Sequence, residues 1–189
     1  HINGRAGLGT LAANTAQALR QRGITSVTLV YDDSLFGNDR WPSGIAELDS
    51  NHVYYAPTSS MAVDGGRNWN GADPADPDMF STYPALSTQP AREAAQVFAQ
   101  RLAEHGIAVN SSVEQGTVPE GTSPIAAVRS ASLNEIMAFM LRHSDNSLAE
   151  EFGRLLALHL GADNSPTGAV RSVEQVLVQQ GISTEGLIM

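Results

Sequence analysis

The 189-residue sequence contains no cysteine and no lysine. Without cysteine, disulfides, thiolate metal sites and a thiol nucleophile are all excluded. The compartment stays open on this ground, although exported bacterial proteins often lack cysteine. Without lysine, every one of the eleven basic residues is Arg. A buried lysine can lose its proton and act as a base, whereas arginine in practice cannot. A mechanism that needs a catalytic lysine therefore cannot be completed by these residues alone. Long apolar runs are also missing: none approaches the roughly 20 residues of a membrane-spanning helix. The opening "HINGRAGLGTLAANTAQ" has no charged segment followed by an apolar one, so no signal peptide is expected within it. The first residue is His and not Met, which points to a processed or cloned piece. The net charge of −9 argues against a nucleic-acid backbone or an anionic membrane as partner. That acidity is shared out, with 7 Arg and 13 acids in residues 1–123 and 4 Arg and 7 acids in residues 124–189.

What is present reads as a globular protein of alternating helices and strands, an α/β or mixed α+β architecture. Residues 8–22 carry Leu8, Leu11, Ala12, Thr15 and Leu19 on one stripe and predict a helix that stops at Gly23. "SVTLVY", 26–31, predicts a strand. Residues 32–44 are turn-rich, and 53–63 predict one or two short strands broken at Pro57. Residues 64–90 show no period and many Gly, Pro and Asp, and read as a long loop. A helix is expected over about 90–105, with Pro90 in its first turn and Gly106 past its end. Strands are expected at 107–116 and 124–130. Ser132-Leu133-Asn134-Glu135 has the form of a capping box. The helix it opens repeats apolar residues at Leu133, Ile136, Met137, Met140 and Leu141, with Phe139 and both methionines core-like. Further helices follow from Leu148 and over about 166–180. The phrases "RQRGI" (20–24), "AEHGI" (103–107) and "VQQGI" (178–182) each place a Gly and an Ile after a helix, a closing signal with the Ile packed back on the last turn. Their unequal spacing rules out a solenoid.

Between two apolar helical patterns stands Ser144-Asp145-Asn146. Capping accounts for it fully: these are favoured N-cap residues, and Glu150 and Glu151 then sit where the helix dipole favours negative charge. Glu150 and Arg154 form an i, i+4 pair. The functional reading is Ser-x-Asn, which together with Ser-x-x-Lys and Lys-Thr-Gly marks penicillin-binding serine acyltransferases. In that chemistry a serine attacks a D-Ala-D-Ala carbonyl and a lysine relays its proton. The Ser-x-Asn hydroxyl both donates and accepts, and so passes protons. Its carboxamide offers a donor–acceptor pair to the substrate amide. The two readings are compatible.

"YDDSLF" (31–36), "APTSSMAVDGGR" (56–67) and "AAVRSASLNEIMAFMLRHSDNSLAEEFGRLLA" (126–157) together resemble the D-alanyl-D-alanine carboxypeptidases of the low-molecular-mass class C penicillin-binding proteins, actinobacterial type. The resemblance runs in order from about residue 6 to 189. It implies part of an exported serine D,D-carboxypeptidase/endopeptidase. Such an enzyme trims peptidoglycan stem peptides through an acyl-enzyme and is acylated by β-lactams. It implies a penicillin-binding/β-lactamase-like fold, with residues 1–123 an inserted accessory α/β region and 124–189 the helical part of the catalytic domain. Of the family's site residues, Ser144 and Asn146 carry over as catalytic; Asp145 between them would face elsewhere or cap the helix. Ser-x-x-Lys and Lys-Thr-Gly are absent, and the sequence ends at "GISTEGLIM", where the family continues toward its third motif. The chain alone is therefore expected to be inactive. The alternative is a non-catalytic exported cell-envelope binding or scaffolding module.

Other patterns carry less. Asp73, Asp76 and Asp78 in "GADPADPD" miss the EF-hand spacing and read as a solvated loop. His52, His105, His143 and His159 lack metal-ligand spacing, so no metal or cofactor is expected; His105 sits in a last helical turn, and His143 is expected to be partly exposed. "DGGR" (64–67) reads as a turn, with Arg67 paired locally. "GRAGLG" (4–9) lacks both the third glycine and the preceding strand of a dinucleotide fingerprint. No Gly-x-Ser-x-Gly elbow occurs.

Overall fold

A computed structural model describes residues 4–72 and 74–188. His1 and Asp73 thus lie outside the described residues. Six helices and four two-residue strands follow in the order α1 (Leu8–Gln21), β1 (Ser26–Val27), β2 (Val30–Tyr31), α2 (Ile45–Leu48), α3 (Pro90–Glu104), β3 (Ala108–Val109), β4 (Glu114–Gln115), α4 (Leu133–His143), α5 (Asn146–Leu160) and α6 (Pro166–Gln179). Short 3-10 turns occupy Ser34–Phe36 and Asp64–Gly66. The mixed α/β class expected from the sequence is the one observed.

The N-terminal part is built from two similar units. Helix α1 leads into β1 and β2, and α3 leads into β3 and β4. β1 pairs in parallel with β3, Ser26 opposite Ala108, and β2 pairs in parallel with β4, Val30 opposite Glu114. Ala12, Ala16, Leu19, Leu102 and Ile107 form the buried core between the two units, with Val27, Phe98 and Val109 packed against it. The Gly-Ile phrases make the same closure three times. Gly23, Gly106 and Gly181 have φ of 71°, 77° and 77°, and the N–H groups of Ile24, Ile107 and Ile182 each donate at 3.0 Å to the carbonyl five residues back. Only Ile107 is fully buried; Ile24 and Ile182 stay exposed. Burial of the closing Ile thus depends on a second unit being there to cover it.

Several expectations are corrected. The segments 26–31 and 107–116 each form two short strands in two separate sheets. Residues 53–63 form no strand, because the N–H groups of Val53, Tyr54 and Tyr55 donate to the Asp49 carboxylate at 2.9, 2.8 and 2.9 Å. Burial pushes that carboxyl up, but the three N–H bonds hold it below the usual range. Residues 124–130 also form no strand, and Ile125 is exposed. Helix α2 was not foreseen. Met137 is exposed and Met140 half-buried, leaving Phe139 as the buried residue of α4.

Helix α5 lies against α6, touches α4, and joins the helical part to the N-terminal part. The joint is Arg154, fully buried. Its guanidinium donates to the carbonyls of Asp39, Phe36 and Asn164, each at 2.8 Å, and to Asn164 Oδ1 at 3.1 and 3.2 Å. Asn164 Nδ2 completes the knot by donating to Leu35 O at 2.6 Å. The expected Glu150–Arg154 ion pair is not formed, because carbonyls of the 35–39 turn occupy the Arg154 donors. No helix among the described residues is long and apolar enough to cross a membrane.

Candidate active-site groove

The groove begins with how α4 starts and stops. The capping box is complete: Ser132 Oγ accepts from Glu135 N, and the Glu135 carboxylate accepts from Ser132 N at 2.9 Å. The Ser132 hydroxyl, which donates to the same carboxylate at 2.6 Å, and then the Ser132 N–H hold the Glu135 carboxyl below its usual range. At the other end Ser144 adopts the left-handed conformation, φ 53° and ψ 48°, and α4 closes on Met140 O. Asp145 is the N-cap of α5, its Oδ1 accepting from Leu148 N at 3.0 Å. The two helices are thus separated by two residues. That tight junction leaves the side chains of Ser144 and Asn146 exposed while Asp145 turns inward.

Ser144 and Asn146 line a groove of about 440 Å³ whose opposite wall comes from residues 53–86. Tyr54 and Tyr83 meet at 5.6 Å between ring centroids, and Phe80 packs edge-on against Tyr83 at 5.1 Å. His143, also lining the groove, is exposed and stacks on Phe139 at 4.1 Å. Beneath the groove runs a line of alternating charges. Arg5 grips Asp78 with both nitrogens, at 2.6 and 2.8 Å. Arg67 reaches Asp78 at 3.3 Å and Asp145 at 3.9 Å, and its guanidinium lies 5.1 Å above the Phe80 ring. Asp78 is therefore buried under two arginines, against the solvated loop expected from the sequence. Ser147 Oγ adds a further tie by accepting from Ala56 N at 3.4 Å.

The aromatic wall and the Arg5–Asp78–Arg67–Asp145 line are absent from a reading of local pattern. Residues 5, 67, 78 and 145 lie far apart in sequence and meet only in three dimensions. The one available signal was a buried-type composition, Trp69, Phe80 and Tyr83, within a segment otherwise rich in turn residues.

One turn further along α5, Glu151 is largely buried and faces Asp145, Asp33 and the Ser59 backbone. Burial first, then the two negative charges, push its carboxyl up to about 8. The folded chain therefore holds this proton above the pH at which the unfolded chain releases it. Stability attributable to Glu151 is greatest below about pH 4.5 and falls as the pH rises toward 8. Glu151→Gln is expected to raise stability at pH 7 by about 1–3 kcal/mol and to flatten the dependence between pH 5 and 8, as read by urea unfolding at several pH values. An unchanged slope would place the titrating group elsewhere.

Residues 8–82 and 70–189 match the D-Ala-D-Ala carboxypeptidase 3 (S13) family, and the chain belongs to that family. It is 30% identical over 174 residues to Carboxypeptidase DacB of Mycolicibacterium smegmatis, covering 92% of this chain and 35% of that protein. It is 28% identical over 170 residues to Carboxypeptidase Rv3627c of Mycobacterium tuberculosis, covering 90% of this chain and 34% of that protein. To the D-alanyl-D-alanine carboxypeptidase of Actinomadura sp. strain R39 it is 28% identical over 158 residues, covering 77% of this chain and 29% of that protein. The chain thus spans about a third of the length of the curated relatives it matches.

Proposed function

We propose that this chain is part of a serine D,D-carboxypeptidase/endopeptidase that cleaves D-Ala-D-Ala peptides of peptidoglycan through an acyl-enzyme and is acylated by β-lactams. Residues 1–123 are the inserted accessory region and 124–189 the helical part of the catalytic domain. Ser144 and Asn146 form one wall of the substrate groove, and the place of work is the cell envelope. The observation that carries this reading is the placement of both side chains, exposed at a two-residue helix junction, on a groove of about 440 Å³. A cap alone would not require an opening in front of it.

In the proposed reaction, the acylated serine and its lysine come from polypeptide outside these 189 residues. Ser144 Oγ relays the proton that the leaving amine must gain, since a hydroxyl can accept from one side and donate to the other. The Asn146 carboxamide holds the peptide amide by one donor and one acceptor. Asp145 does not touch substrate in this scheme; its hydrogen bond from Leu148 N and its ion pair with Arg67 at 3.9 Å fix the angle at which its two neighbours point.

The test is labelling by a fluorescent penicillin. The 189-residue chain is expected to stay unlabelled, and the full-length parent to give a labelled band that a D-Ala-D-Ala peptide substrate competes away. A labelled band from the short chain would refute its inactivity. An unlabelled parent would favour a non-catalytic envelope module.

A further inference from the structure

Residues 63–72 contain two tight turns of one kind, and they differ in what holds them. In the first, Gly66 N donates to Val63 O at 2.8 Å around Asp64 and Gly65, which have φ of 51° and 67°. In the second, Ala72 N donates to Trp69 O at 3.0 Å around Asn70 and Gly71, which have φ of 51° and 86°. Two positive φ values inside such a bond make each a type I′ turn, which is why an Asp-Gly or Asn-Gly pair stands there.

The first turn is tied down. The Asp64 carboxylate accepts from Trp69 Nε1 at 3.1 Å, and the Asp64 carbonyl accepts from Arg67 Nη1 at 2.9 Å. A Cβ built on Gly65 would meet that same Arg67 nitrogen at 3.0 Å. The second turn is open. Asn70 and Gly71 are exposed, and nothing lies within 4 Å of where a Gly71 Cβ would stand. Asn70 N donates to Asn68 Oδ1 at 2.9 Å. Among the described residues, neither the Asn70 carboxamide nor the Gly71 N–H makes a hydrogen bond. Flipping the peptide plane between them converts type I′ to type II′, taking ψ of Asn70 to about −120° and φ of Gly71 to about −80°. The bond from Ala72 N to Trp69 O survives that flip, and glycine accepts either sign of φ. The flipped form brings Gly71 N in line with Asn70 Cγ, with a five-membered ring to close.

We propose that Asn70 is a site of spontaneous deamidation through a cyclic imide. Gly71 N gives its proton to solvent base and attacks Asn70 Cγ. The new N–C bond forms, the bond from Cγ to the side-chain nitrogen breaks, and that nitrogen takes up a proton and leaves as ammonia. Water then opens the ring at one of its two carbonyls. Opening at Cγ gives aspartate. Opening at the Asn70 backbone carbonyl gives isoaspartate, with Cβ and Cγ now part of the main chain. In sum one water is consumed and one ammonia released, with no change of oxidation state. The new negative charge stands beside Trp69, whose ring lies 6.4 Å from Phe80 of the groove wall.

The experiment holds the full 189-residue chain in mildly alkaline and in mildly acidic buffer and digests samples with trypsin at intervals. Cleavage after Arg67 and Arg92 isolates residues 68–92 on one peptide. Asn3-Gly4, whose Asn3 lies outside the described residues, falls on another. First-order conversion is expected, faster in alkaline buffer because the attacking nitrogen must lose its proton. Fragment masses should place the change at Asn70 and not at Asn68, and an isoaspartyl methyltransferase should label the product. The native chain should react within about ten-fold of the free 68–92 peptide, since so exposed a turn needs little local opening. Asp64 should yield isoaspartate only once urea unfolds the chain. Asn70→Gln, whose side chain would have to close a larger ring, should leave the peptide unmodified. A native reaction slower than that ten-fold margin would mean that the fold locks the turn, and would overturn the proposal. So would a product that is aspartate alone, since a ring opened by water gives both acids. None of these readouts uses penicillin or a peptide substrate, so this site and the Ser144 groove stand or fall separately.

Discussion

In the full-length parent, Ser144→Ala is expected to slow acylation by penicillin, or deacylation, on the order of 100-fold while shifting unfolding by less than about 1 kcal/mol. The contrast between the two numbers is the test. Ser144 is exposed, its hydroxyl caps no helix, and the cap of α5 is supplied by Asp145 instead. Removing Oγ therefore takes little from the fold. If the hydroxyl relays a proton to the leaving amine, its loss falls on the reaction, in the range typical of a positioned acid–base group. Stopped-flow acylation and single-turnover deacylation, set beside a urea curve, separate the two. A variant that loses melting temperature and keeps its rates would leave the triplet as a helix junction and nothing more. Asn146→Ala should behave alike but raise the KM for a peptide substrate more than it lowers kcat, because its proposed role is to hold an amide.

The second large effect is structural. Arg154→Ala is expected to destabilise the chain by about 3–5 kcal/mol and to lower its melting temperature by roughly 10 °C. Arg154 is fully buried, and its donors satisfy carbonyls of Phe36, Asp39 and Asn164 together with the Asn164 carboxamide. Cutting it out strands those acceptors in a dry place and leaves a void at the joint between α5 and the 35–39 turn. Arg154→Lys should recover only part of the loss, because one ammonium cannot span acceptors arranged around a planar fork. A decrease under about 1 kcal/mol for the alanine variant, by urea unfolding, would mean that the joint is held by other contacts.

The helices were legible because their signals are local. The period of 8–22, Pro90 at the start of α3, the Ser132 box and the Gly-Ile closures each lie within a few residues of what they specify. The strands were not. β1 is two residues long and its partner, Ala108–Val109, lies far down the chain. Nothing near Ser26 encodes that register or says that Val30–Tyr31, a short step further on, belongs to another sheet. "VYYAP" has strand composition, but a single upstream carboxylate, Asp49, takes its backbone donors first. The candidate groove was legible in part. Ser144 and Asn146 stood out as a motif, and the structure places both on a groove. The charges beneath them were hidden, because Asp78 in a Pro-rich, Asp-rich loop reads as solvated until Arg5 and Arg67 are seen closing over it. Arg154 was hidden for the opposite reason: an i, i+4 glutamate offered a simpler partner than two carbonyls of a remote turn and a third from Asn164.

Ser144 has a further consequence, rooted in its φ of 53°. A residue with a Cβ is strained there, and glycine would relax the bend by about 1 kcal/mol. In the full-length parent, Ser144→Gly should therefore melt higher and, if Ser144 relays the proton as proposed, turn over substrate far more slowly. The hinge between α4 and α5 would then be a place where toughness and turnover trade against each other through one side chain.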